Sequence, residues 1–140
     1  MTTFKLIISI FGFIYLSSIA GEYYALMQVG SEEYVVIDGA LNVWATYSGC
    51  FILTYLIYYY FMSLKDKEPS PKQLNYAVLI IAVIISPLLT LSTYTIIHNN
   101  LNDYVKCNSL NKWSSRYSSS TYAISKEVCM TLVTDRKNKL

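Results

Sequence analysis

Three long stretches of the chain are apolar almost without interruption, and the polar residues gather between and after them. The first runs from about Phe4 to Met27, with Lys5 and Glu22 its only charges. The second, Ala40 to Ser63, and the third, Tyr76 to Ile97, carry no charge at all. Each exceeds the ~20 residues a helix needs to cross ~30 Å of hydrocarbon. Barrel strands alternate apolar and polar positions, whereas these runs are continuous, so helices are the way their backbone is satisfied in lipid. The pattern predicts an all-α membrane protein. Residues 1–97 form a three-helix transmembrane domain with spans at about 4–27, 40–63 and 76–97, and residues 98–140 form a polar tail.

Composition agrees with this reading. Charged residues are 14% of the 140-residue chain, against about 25% in a soluble domain. The net charge of +2 is small, and the eleven Lys and Arg form no long stripe, which argues against nucleic acid as a partner. The lipid bilayer is the partner the composition demands.

The connecting segments suggest an orientation. Residues 28–39 contain Glu32, Glu33 and Asp38 and no base, whereas Lys65, Lys67 and Lys72 crowd a turn that also holds Pro69 and Pro71. With three spans, the acidic loop and the tail share one side, and the N-terminus and lysine turn share the other. The positive-inside rule places the lysine turn in the cytoplasm; the tail, with seven bases against three acids, pulls the other way. Cysteine decides. Cys107 and Cys129 both lie in the tail, and a small polar extension stapled by such a pair is stable only in an oxidising compartment. Two reduced structural thiols are the alternative. The expected orientation has the N-terminus cytoplasmic and the C-terminal tail extracytoplasmic. Lys5, the run Leu6–Leu16 and Ser18-Ile-Ala20 also have the layout of a cleaved signal peptide, but apolar residues resume at Tyr23–Met27 and favour a retained anchor.

Small residues recur four apart at Ser17, Gly21 and Ala25 in the first span and at Ala45 and Gly49 in the second. Such stripes let helix backbones approach, within the chain or in a homo-oligomer. Pro87 removes a backbone bond inside the third span and is expected to bend it. Glu22, an intramembrane acid, lies near the end of its helix, and the spans hold no second acid to continue a relay. Fourteen tyrosines, several at span ends, suit aromatic belts.

In the tail, Asn99–Lys106 is expected to extend the third helix. Thr121–Ser125 and Val128–Thr134 read as strands of a short β-hairpin around Lys126-Glu127. The picture is a small disulfide-stapled cap closed by Cys107–Cys129, in which Glu32 and Glu33 meet the tail lysines, with Trp113, Arg116 and Tyr117 offered to a protein partner. Cys50, inside the second span, reads as a small apolar residue. One histidine, no Gly-rich phosphate loop and no nucleophile–base set argue against an enzyme, and no cofactor or metal site is evident.

Tyr104-Val-Lys-Cys107, a Ser-rich stretch, Tyr122-Ala-Ile-Ser125 and Cys129, following three hydrophobic spans, resemble small three-span inner-membrane proteins of enteric bacteria. Some of those resemble immunity proteins encoded beside toxins that attack the inner membrane. The resemblance implies a bacterial inner membrane with a periplasmic C-terminus, and an immunity protein that binds and neutralises a pore-forming or ionophoric toxin. The alternatives are an accessory subunit or exclusion factor of a larger membrane complex, or a small channel.

Overall fold

The computed structural model of the chain describes residues 2–28, 32–65, 67, 70–114 and 117–138. Among the described residues, three helices are long and apolar enough to cross a membrane: Thr2–Met27, Ala40–Ser63 and Pro71–Asn100. The first two are α1 (Thr2–Met27) and α2 (Ala40–Ser63). The third is composite, made of α3 (Pro71–Ile80), a π-helical turn (Ile81–Ile85) and α4 (Ser86–Asn100). It is longer than 76–97 at both ends. Pro71 opens it at a position where a missing N–H is harmless, and His98–Asn100 stay helical despite their polarity.

Pro87 explains the irregular turn. The Ser86 N–H donates to the Ile81 carbonyl, five residues back. The Ala82 carbonyl is thereby skipped, because its donor five residues on would be the nitrogen of Pro87, which carries no hydrogen. The Trp44 indole of α2 donates to that carbonyl at 2.9 Å. The defect in one helix thus becomes a bond between two.

The helices α1 and α2 share the most extensive contact, α2 packs on α4, and α1 touches α4 less. Interlocking is local. A Cβ at Gly49 would collide with Leu16 Cδ1, and one at Gly12 would lie 3.1 Å from Leu53 Cδ1. Each glycine is therefore a notch for a leucine of the other helix. Of the hydroxyls buried between helices, Thr46 and Thr90 bond to their own helix four residues back, at Asn42 and Ser86. Tyr47 and Thr93 bond across at 2.8 Å, and the hydroxyls of Ser48 and Ser86 have no partner among the described residues.

One end of this bundle carries a sheet. Its strands are β1 (Tyr34–Asp38), β2 (Val105–Lys106), β3 (Lys112–Trp113) and β4 (Ser118–Ala123). The strand β4 is central and antiparallel to all three others, with β1 along one edge and β2 and β3 on the other. Asn111, between β2 and β3, accepts the Thr121 N–H through its side-chain oxygen at 3.2 Å and fills the gap in that edge. Because β1 lies between α1 and α2, and the other strands follow α4, the sheet crosses the end where α1 and α4 finish and α2 begins. Val35 and Ile37 of β1 are buried with Ile97 and Leu101, and Leu26, Met27 and Tyr94 pack around them. Bundle and sheet share this core.

Two expectations for the tail are corrected. Helix three does not continue to Lys106: it ends at Asn100, Leu101 closes it and is buried, and Val105–Lys106 pairs with β4. The second hairpin strand is instead the helix α5 (Lys126–Asn138). Val128, Thr131, Val133 and Thr134 favour a strand by composition, but the ends favour a helix. The Ser125 Oγ accepts the Val128 N–H at 3.3 Å as an N-cap, and Arg136 and Lys137 occupy the last turn. No hairpin forms at Lys126-Glu127; β4 pairs with β1, far away in sequence.

Candidate binding site

The acidic loop and the tail meet through main-chain carbonyls of the loop. The Glu33 carbonyl accepts the Ile124 N–H at 3.0 Å, and the Glu32 carbonyl accepts the Tyr104 hydroxyl at 2.8 Å. Both carboxylate-bearing residues are exposed. Among the described residues, Glu32 and Glu33 are joined to the tail through their main chain.

Asp38 is the polar centre of the joint. Its carboxylate accepts the Tyr23 hydroxyl of α1 at 3.1 Å and the Tyr117 hydroxyl at 2.7 Å. Its carbonyl accepts the Tyr94 hydroxyl of α4. Three tyrosines remote in sequence thus converge on one residue. Tyr23 also stands edge-on to Tyr47, with ring centroids 6.2 Å apart. The bond to Asp38 holds the Tyr117 phenol above its usual pKa, and burial adds to the effect. Gly39 follows, where a Cβ would strike the Ser118 hydroxyl; the Gly39 N–H donates to the Ser118 carbonyl at 2.7 Å. Glycine is required by this approach, not by its dihedral angles.

Cys107 and Cys129 form the disulfide, with Cα atoms 5.7 Å apart. It joins the turn after β2 to α5 and so holds that helix against the sheet face remote from the bundle. Contact there is partial: α5 has half-buried residues but no buried one. A groove of about 630 Å³ remains, walled by Tyr34, Val36, Leu110 and Leu132 and rimmed by Lys112, Asp135 and Arg136. Tyr34 and Val36 are exposed there.

The other predicted residues fall as follows. Tyr117 borders this groove. Trp113 does not: it stands opposite Ser118 on the sheet face turned to the helix ends. Arg116 lies outside the described residues. Of the small residues, Gly49 receives Leu16, whereas Gly21 has nothing within 4 Å of a Cβ, and Ala25 and Ala45 are exposed. Ser17 is half-buried beside Cys50, the free thiol. Glu22 is exposed on α1. The sequence reading missed Asp38 and Gly12. A lone acid between Val35-Val-Ile37 and a glycine was the available signal for the first, since an acid ending an apolar strand needs donors.

No family model matches the chain, and comparison with curated proteins and with solved structures gives no match.

Proposed function

We propose that this is a binding protein of the bacterial inner membrane whose cap faces the periplasm and neutralises a membrane-active toxin. The observation that carries the reading is the groove between β1 and α5. It combines apolar walls with a charged rim of both signs, the composition of a protein-recognition surface. A disulfide fixes its far wall, and the shared core of Val35, Ile37, Ile97 and Leu101 fixes its near wall to the bundle. A rigid surface needs little ordering on binding. A toxin entering the bilayer from the periplasm would meet this cap first, and the oxidised pair suits that compartment.

The test is a mild-detergent pull-down of tagged protein from its own host, with mass spectrometry of stoichiometric partners, run beside Val36→Asp and Leu132→Asp. A toxin as dominant partner, lost in both variants along with protection of the cells, is the expected result. A resident membrane assembly that survives both substitutions would make the protein an accessory subunit instead.

A further inference from the structure

Cross-strand pairing sorts the cap's residues between its two faces. Val35 and Ile37, turned to the helix ends, stand opposite Tyr122 and Ser120. Directly opposed residues share a face. Lys106, opposite Tyr122, and Trp113, opposite Ser118, therefore lie on the same side as that core. Lys112, opposite Ser119, lies on the outward side with the groove. So a lysine and a tryptophan that is 91% exposed sit on the side of the cap turned toward the bilayer.

Between that face, the first turn of α2 and the last turns of α4 is a cavity of about 450 Å³. Leu41, Ile97 and Leu101 give it apolar walls, and Lys106, His98 and Asn111 give it polar ones. It lies at the ends of the spans, where hydrocarbon gives way to headgroups. Leu41, with 77% of its surface exposed, continues the apolar wall down the side of α2. Asp38 also borders the cavity, but its carboxylate is engaged by Tyr23 and Tyr117. From Lys106 opposite Tyr122 to Asp38 opposite Ser119 is three residues along β4 and two strands across, about 14 Å between backbones. An anion in the cavity is favoured at the lysine end.

We propose that this cavity binds an anionic glycerophospholipid, with the phosphate at Lys106 and His98, an acyl chain along Leu41, and the Trp113 indole in the surrounding interface. The two kinds of wall select this occupant. A free phosphate would gain nothing from Leu41 and Leu101, and a neutral hydrocarbon would gain nothing from Lys106. An indole on a bilayer-facing surface is a common interfacial anchor. The proposal rests on the three spans lying in a membrane and is independent of the toxin reading.

Native mass spectrometry of the detergent-purified full chain tests it, with added phosphatidylglycerol, phosphatidylcholine of the same acyl chains, or inorganic phosphate alone. Phosphatidylglycerol is expected to be retained above phosphatidylcholine. Lys106→Gln should weaken its retention about five-fold, the worth of one lysine at an anionic surface. Lys112→Gln, on the opposite face, should leave phosphatidylglycerol retention unchanged, and an intact disulfide mass and an unchanged melting temperature confirm that both variants are folded. Equal retention of the two lipids, or equal effects of the two substitutions, would overturn the site in favour of unselective annular lipid. Inorganic phosphate binding that competes with the lipid and is lost in Lys106→Gln would also overturn it, in favour of a soluble anion.

Discussion

The bundle and the cap share one core but are held together in different ways. In the bundle, neighbouring helices interlock through leucines seated on Gly12 and Gly49, and a hydrogen bond from Trp44 repairs the defect that Pro87 creates. Packing is what remains to drive association where lipid tails are as apolar as the helices. In the cap, β4 pairs with the neighbouring β3, with β2 and with the remote β1, and a disulfide closes a separation of 22 residues. A polar unit this small has too little apolar area to fold on its own. It therefore borrows a core from the helix ends through β1 and a covalent link through Cys107–Cys129. Cap and bundle should therefore fail independently at their own fasteners and together at their joint.

The largest separate effect is expected from Cys129→Ser. Opening a loop of that length costs about 3 kcal/mol in the chain-entropy model. The cap should become open to limited proteolysis at α5 while α1–α2 fragments stay resistant; equal sensitivity of both would break the comparison. Gly49→Val should do the converse. The added side chain displaces Leu16, and overpacking typically costs about 1–3 kcal/mol, read as a lower melting temperature in detergent with the disulfide intact. Gly21→Val, at an open position, should leave that temperature unchanged.

The joint is sharpened by Asp38→Asn. Two tyrosine hydroxyls lose a charged acceptor, one of them on a partly exposed side chain. The cost should be about 1–2 kcal/mol and should appear in bundle and cap alike. It also carries a pH signature. Tyr117 has its pKa raised by Asp38, so its stabilising contribution is complete below the ordinary tyrosine range and is lost as pH rises through the raised value. Ultraviolet difference titration of the wild type against Tyr117→Phe should show this phenol ionising late, and Asp38→Asn should shorten the delay, leaving the part due to burial. The smallest effect is expected for Trp44→Phe. It leaves the Ala82 carbonyl without its donor and should cost about 0.6 kcal/mol, the average for hydrogen bonds between membrane helices.

The same contrast governs how much the sequence discloses. Spans are legible because each is a local run of apolar residues, and Ala40–Ser63 has its observed bounds in the sequence pattern alone. The disulfide is legible because only two cysteines lie in the tail. The sheet is not. Tyr34–Asp38 sits inside a loop that reads as acidic, and its partner, Ser118–Ala123, lies beyond two further spans. No local periodicity can announce such a pairing. In Val128–Thr134, side-chain composition points to a strand, while the Ser125 cap and the closing Arg136 and Lys137 point to a helix. The end signals win. Trp113 and Lys106 reveal their facing only through register, so their place beside the helix ends is invisible until β4 is paired.

The side of the membrane that the cap occupies decides what its groove can meet. The direct measurement is labelling of intact cells with a membrane-impermeant maleimide, using Lys112→Cys in the cap and Lys67→Cys in the opposite turn, each combined with Cys50→Ser. Labelling at position 112 with none at 67 until the cells are broken, and a protein mass showing Cys107–Cys129 oxidised, is the predicted result. Labelling at 67 alone, with both cap cysteines reduced, would contradict the account by placing the groove in the cytoplasm, away from an incoming toxin.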